Sequence, residues 1–297
     1  MREFAATIGT FDGVHTGHKL VLKTLIEEAE KNALTPVAIT FDRHPLSLVD
    51  KSREPASICG HKEKISLIEK TGVKTEVITF DDRIRNLTAK LWMKKIREEL
   101  GVRLLVIGYD NRFGSDGFEL TMEEYKTAGR DCGIEMIWAP ELKGVSSSKI
   151  RSAIKNGDME SVFKMLGRNY EISGKVMKGQ SLGRTIGYPT ANITPEEKIG
   201  LPKEGVYAAI AVLPDNSEWP AMVNIGRKPT VGFCTMSEIE AHIIGWQGNL
   251  YSKEVKLRFI RRLRDEIKFN SLEELRNQLN KDKEEVLELL KDNSYGM

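Results

Sequence analysis

Apolar positions in the first half of the chain fall into short runs that alternate with stretches of helical spacing. Residues 4–11, 37–41, 77–80, 104–108 and 134–138 are compact apolar segments, whereas 18–31, 88–100 and 121–132 repeat their apolar residues every three or four positions. In the first of these helices Val21, Leu22, Leu25, Ile26 and Ala29 share one face. Strands alternating with helices predict βαβ units, hence an α/β domain whose mostly parallel sheet is covered on both faces. Thr121, three residues before Glu124, reads as a capping box opening a helix.

From Tyr170 the pattern changes. Glycine-rich turns separate closely spaced strand-like runs at 205–213, 221–226, 239–244 and 255–263, with Asp215 and Asn216 forming a turn between the first two. Strands without intervening helices predict an antiparallel β-barrel. A terminal helix is expected from Ser271, where Glu274 supplies a second capping box ahead of Leu275, Leu279, Val286 and Leu290. Between the halves, 155–168 reads as a helical connector. The expected domains are 1–157 and 158–297, with the connector helix at 158–168.

Composition narrows the class. The 297 residues suit two ordinary domains, and 40% hydrophobic with 30% charged residues is the balance of a soluble globular protein. A net charge of +2 does not predict a broad nucleic-acid surface, so small anions fit better than DNA. Cys59, Cys132 and Cys234 are scattered and odd in number, which predicts neither a zinc site nor a disulfide framework and points to a reducing cytoplasm. The first residues carry no basic-then-apolar leader, and no run approaches the ~18 apolar residues of a membrane span, so neither export nor membrane insertion is expected.

Candidate chemistry begins at 9–18, GTFDGVHTGH, placed between a strand and a helix. A helix N-terminus at the carboxyl edge of such a sheet offers free N–H groups to a phosphate. Gly9, Gly13 and Gly17 let the backbone approach an anion, and His15 and His18 can donate to phosphate oxygens as charge develops. A lone HxxH is more often a pair of ordinary core or surface side chains. Here His44 follows the next strand, so three of the chain's 5 histidines gather at one sheet edge. A metal site competes with this reading, but no acidic or cysteine partner has the usual spacing.

The second candidate is 174–193, whose glycines at 174, 179, 183 and 187 are too many for a packed strand and suggest a loop closing over a ligand, although a flexible hairpin would show the same density. The Thr190 hydroxyl and the Asn192 carbonyl are hard donors suited to Mg²⁺ on nucleotide phosphates. Glu240, the acid in an apolar strand, suits a general base if buried and a solvent-facing carboxylate if not.

These stretches resemble the prokaryotic bifunctional riboflavin kinase/FAD synthetase family. GTFDGVHTGH, VIGYDNRFG at 106–114 and VSSSKIR at 145–151 are similar to its HxGH nucleotidyltransferase module. GRTIGYPTANI, AMVNIGRKPTVG, EIEAHII and LYSKEVKLRFIRRLRDEIKF are similar, in order, to its riboflavin kinase module. The resemblance implies a Rossmann-like N-terminal FMN adenylyltransferase domain and a C-terminal β-barrel riboflavin kinase domain, acting on riboflavin, FMN and ATP with Mg²⁺. It implies ATP contacts from Gly9, Phe11, Asp12, Gly13, His15, Gly17, His18, Ser146, Ser147, Ser148 and Arg151. Flavin contacts in that domain would come from His44, Asp110, Asn111 and Phe113. In the kinase it implies a nucleotide flap of Gly179, Gly183, Arg184, Pro189 and Thr190, Mg²⁺ at Thr190 and Asn192, Glu240 as base, and Arg264 with Phe269 near the flavin. The chain departs from the family pattern at Arg43, Asn111 and 115–120. Two other readings use the same residues: an HxGH transferase with a different acceptor fused to the kinase, and a non-catalytic flavin-binding sensor. No nucleic-acid or membrane partner is expected.

Overall fold

The computed structural model describes residues 3–49, 54–179, 182–229 and 235–291. They divide between Ser147 and Ser148 into two compact units. The first unit runs β1 (Phe4–Ile8), α1 (Thr16–Lys31), β2 (Thr35–Phe41), α2 (Leu46–Val49), α3 (His61–Glu69), β3 (Lys74–Ile78), α4 (Asp82–Arg85), α5 (Ala89–Leu100), β4 (Val102–Ile107), α6 (Met122–Asp131) and β5 (Glu135–Trp138). Its five strands are parallel, in the order β3-β2-β1-β4-β5.

The alternation along β1 shows how the sheet is covered. Ala5 points into a cluster with Val21, Leu22, Leu25 and Ala29 of α1, whereas Ala6 and Ile8 point into another with Trp92, Met93 and Ile96 of α5. Helices therefore pack on both faces, which leaves the loops after the strands as the place for ligands.

Most elements expected from the pattern form, with instructive shifts. The run at 4–11 ends as a strand at Ile8, because Phe11 and Val14 take positive φ values of 50° and 39°. The run at 77–80 gives way to β3 at Lys74–Ile78, an edge strand with no fully buried position. Phe80, just beyond it, packs on Phe41 at 5.0 Å and is buried without belonging to the strand. The Thr121/Glu124 capping box is present in full.

The second unit opens with α7 (Ser147–Asn156) and α8 (Met159–Leu166), separated at Gly157, whose φ of 76° breaks the helix. Asp158 caps α8 by accepting from Ser161 N at 3.0 Å. There follow β6 (Tyr170–Met177), α9 (Leu182–Thr185), β7 (Ala191–Pro195), β8 (Gly205–Val212), β9 (Glu218–Pro229), β10 (Thr235–Ile243), β11 (Glu254–Arg264) and α10 (Leu272–Lys291). The six strands close in the order β10-β7-β6-β11-β8-β9, with every pairing antiparallel. Asn216 takes φ 63° in the expected turn, and Asp215 accepts from Ser217 N at 3.0 Å.

The second capping box differs from expectation. Ser271 Oγ accepts from Glu274 N at 3.1 Å, but the Glu274 carboxylate accepts from Asn270 N at 3.0 Å rather than from Ser271. Val286 and Leu290 of α10 pack against Ala208, Ile210, Met222 and Ile260 of the barrel.

Candidate active sites

The turn at 9–18 is held on both sides. Gly9 N donates to Ile39 O of β2 at 3.1 Å, and Asp12 Oδ1 accepts from Ile58 N at 2.8 Å. Gly13 has φ 78°, and a Cβ there would lie 2.7 Å from Ile58, so glycine is required both by conformation and by close approach. Buried Phe11 and Val14 accept left-handed conformations that L-residues rarely adopt, which costs about 1–3 kcal/mol each and is sustained by the surrounding packing.

That turn presents the histidine pair. His15 is the N-cap of α1, and its Nδ1 accepts from His18 N at 3.2 Å. The rings stack with centroids 3.6 Å apart and planes 14° from parallel, while Phe11 meets His18 edge-on at 5.2 Å. Gly17 leaves room for this, since a Cβ there would sit 3.1 Å from the His15 ring. His18 is partly buried as a residue, and its Nδ1 is sealed off without a hydrogen-bond partner. Burial, followed by the neighbouring His15, holds the His18 imidazole well below its ordinary 6.5.

Other expected residues of this unit have mixed placements. Ser147 Oγ donates to Asp12 O at 3.2 Å, which ties the serine stretch to the glycine turn. Ser146 immediately precedes it, and Ser148 and Arg151 lie on α7 in the second unit. His44 follows β2, with its Nδ1 accepting from Leu46 N at 3.2 Å. Asp110 is exposed.

In the second unit two cavities flank Thr190. One, of about 400 Å³, is bordered by Thr190, Glu240, His242, Arg264 and Phe269; the other, of about 560 Å³, by Thr190, Ala241, Ile243, Trp246 and Tyr251. Strand alternation explains the division, because Glu240 and His242 face the first cavity while Ala241 and Ile243 face the second. His242 Nδ1 lies 2.9 Å from Pro189 O, and burial pushes its imidazole below the ordinary value.

Glu240 stands opposite Asn192 of β7 and Asn224 of β9. With its amide turned so that donors meet acceptors, Asn192 Nδ2 donates to Glu238 Oε1 at 2.6 Å and to Glu240 Oε1 at 3.2 Å. Glu240 is therefore not a lone acid. Gly179 passes so close to Asn192 that a Cβ would overlap the carboxamide. Gly183 accepts at its carbonyl from Tyr188 N at 2.8 Å, folding the glycine loop back onto the Pro189–Thr190 segment. The Arg184 side chain lies outside the described residues, as do Gln180 and Ser181 of the loop and 230–234, which include Cys234.

Two family descriptions match the chain: an FAD synthetase over residues 1–154 and a riboflavin kinase over residues 166–290. A bifunctional riboflavin kinase/FMN adenylyltransferase of Haemophilus influenzae is 33% identical over 285 residues, covering 94% of this chain and 92% of the relative. One of Bacillus subtilis is 34% identical over 286 residues, covering 94% and 90%. The chain belongs to the bifunctional riboflavin kinase/FMN adenylyltransferase family. The crystal structure of a protein from Streptococcus pneumoniae described as a macrolide-efflux protein superposes with a TM-score of 0.85 at 28% identity, covering 96% of this chain and 94% of that one. Among the described residues here, no helix is long and apolar enough to cross a membrane.

Within the family frame several side chains have unexpected surroundings. Phe113 is only 8% exposed and packs in the core against Tyr125 at 5.2 Å, so little of its ring is left to touch a flavin. The Asn111 amide donates to Ile8 O at 2.5 Å and closes the end of β1. Arg264 is gripped by Asp282 of α10 through Nε at 2.9 Å and Nη2 at 2.6 Å. Sequence reasoning missed Asp282, His242, Glu238 and Trp246. The first is one of six acids on a charged helix, and the others come to their neighbours only once the barrel closes.

Proposed function

We propose that the chain makes flavin cofactors in two steps, with domain 158–297 phosphorylating riboflavin to FMN and domain 1–157 adenylylating FMN to FAD. The observation that carries this reading is the pair of cavities sharing Thr190, one of which holds a carboxylate and the other an aromatic wall.

In the kinase the flavin takes the cavity of Glu240, Arg264 and Phe269, and the nucleotide base takes that of Trp246 and Tyr251, whose rings suit a purine face. The riboflavin 5′-hydroxyl attacks the γ-phosphorus of ATP, its proton passes to Glu240, and ADP leaves. Mg²⁺ fits the donor set. The Asn192 nitrogen faces the two carboxylates, which turns Oδ1 toward Gly179 of the glycine loop, and the exposed Thr190 hydroxyl adds a second hard oxygen. When bound, the cation neutralises phosphate charge and aligns the γ-phosphoryl group.

In the adenylyltransferase an FMN phosphate oxygen attacks the α-phosphorus of ATP, and the bond to the β-phosphate breaks to release pyrophosphate. Because His15 Nδ1 accepts from His18 N, the ring carries its proton on Nε2 and can donate a hydrogen bond from there to a phosphate oxygen. The partial positive charge at the N-terminus of α1 supplements it. The histidines donate to developing charge and do not attack. Both steps are assigned to the cytoplasm on the scattered cysteines, of which Cys59 and Cys132 are in no disulfide.

Glu240→Gln tests the kinase half. It keeps shape and hydrogen bonding, so riboflavin phosphorylation falls by roughly 10²–10⁴ while conversion of supplied FMN to FAD continues. Phosphorylation at the parent rate in the folded variant would remove Glu240 as the base.

A further inference from the structure

A primary amide has two ends of nearly equal size, so an asparagine that must present oxygen to a cation has to be prevented from turning its NH₂ to it. Asn192 is 9% exposed and lies across the β7–β10 ladder from Glu240. Glu238 and Glu240, two residues apart on β10, project to the same side of the strand. The shorter of the two bonds from Asn192 Nδ2 goes to Glu238, at 2.6 Å, against 3.2 Å to Glu240. Turning the amide over would set its oxygen against both carboxylates and its NH₂ toward Gly179 and the nucleotide loop.

We infer that Glu238 is a positioning residue of the kinase, fixing the Asn192 carboxamide so that its oxygen, and not its nitrogen, faces the metal-nucleotide side. This rests on the assignment of Asn192 to Mg²⁺ made above. Glu240 takes the longer of the two amide bonds. Groups that orient a metal ligand in this way change metal affinity by about 10- to 100-fold when removed, without touching the ion.

The test uses the full chain with Glu238→Ala, Glu238→Gln, Asn192→Ala and the Glu238→Ala/Asn192→Ala pair. Two quantities are read. One is the free Mg²⁺ that half-saturates riboflavin phosphorylation at saturating ATP. The other, without turnover, is the free Mg²⁺ that half-saturates the ADP-induced fluorescence change of Trp246, identified as the part that Trp246→Phe abolishes. Removal of either Glu238 or Asn192 is expected to raise both by about tenfold. The double variant should be no worse than Asn192→Ala, and riboflavin affinity should be unchanged in Glu238→Ala. Glu238→Gln, which keeps an uncharged acceptor, should fall between and carries the test if the alanine variant does not fold.

A wild-type Mg²⁺ requirement in folded Glu238 variants, alongside a raised one in Asn192→Ala, would overturn the inference and leave the metal assignment standing. Additive effects in the double variant would also overturn it, because Glu238 would then act independently of Asn192. A wild-type requirement in Asn192→Ala would overturn both.

Discussion

His15 and His18 stack ring on ring at 3.6 Å, with the His15 Nδ1 already occupied by the His18 backbone N–H. Two imidazoles this close cannot both carry a positive charge cheaply, and burial adds to the penalty at His18. Burial first, and then the neighbouring His15, therefore disfavour the charged form of His18.

The sign of the pH effect follows. His18 is depressed below 6.5 in the folded chain, so the unfolded chain binds that proton first and stability falls as pH drops below about 6.5. His242, depressed mainly by burial, acts in the same direction. Histidine C–H resonances followed by NMR from pH 7.5 to 5.5, with His18→Gln to assign the signal, should give His18 a midpoint below 6.5. The unfolding free energy of His18→Gln should lose less over that range than the parent's. A His18 midpoint at or above 6.5 would contradict the buried, stacked arrangement.

Arg264 and Asp282 form a second such relationship. Asp282 is 2% exposed at its side chain, and its two oxygens take Nε and Nη2 of Arg264, with Gln278 Nε2 adding a bond at 2.8 Å. Removing one member of a buried pair strands the other charge, which costs about 3–5 kcal/mol. Asp282→Ala should therefore lower the unfolding temperature of the barrel by several degrees and raise the KM for riboflavin, because Arg264 borders the same cavity as Glu240. Thermal unfolding followed by kinetics at permissive temperature checks both. Parent-like KM in the folded variant would show that Arg264 does not contact the flavin.

The domain boundary can be tested by truncation. A fragment starting at Asp158 keeps the cap of α8, all six barrel strands and α10, and gives up the Lys203 N to Ile154 O bond of 3.2 Å. It should fold and convert riboflavin to FMN without making FAD. A fragment that folds only when 148–157 are restored would move the boundary to the Ser147/Ser148 division.

The two-part architecture was legible because the halves differ in pattern, apolar runs alternating with helical spacing in the first and closely spaced apolar runs in the second. Spacing every three or four residues in α1 and α5, and closely spaced apolar runs in the barrel, are dictated by which faces are buried. Edges were harder to read. Val77 and Phe80 look like strand residues, but β3 is an edge strand whose extent is set by pairing with β2, not by its own apolarity. Within the sites, the glycine turn and the HxGH spacing are local and could be read directly. Glu238, His242 and Asp282 meet residues 46, 53 and 18 positions away, the first two through the closed barrel and the third through docking of α10 on β11. Phe113, an aromatic expected at a ligand, packs against Tyr125 in the core, a surrounding that its motif alone does not reveal.

The central claim is a division of labour, with the His15/His18 turn serving FAD formation alone and the Glu240 cavity serving FMN formation alone. The most direct test incubates riboflavin and MgATP with the parent chain and with a folded His15→Ala/His18→Ala variant, and separates the flavins by chromatography over time. The parent should form FMN and then FAD. The variant should accumulate FMN at close to the parent rate, with FAD formation slowed by about 10²-fold or more, since donors that act on developing charge are lost. Equal loss of both products in the folded variant, or undiminished FAD, would contradict the account.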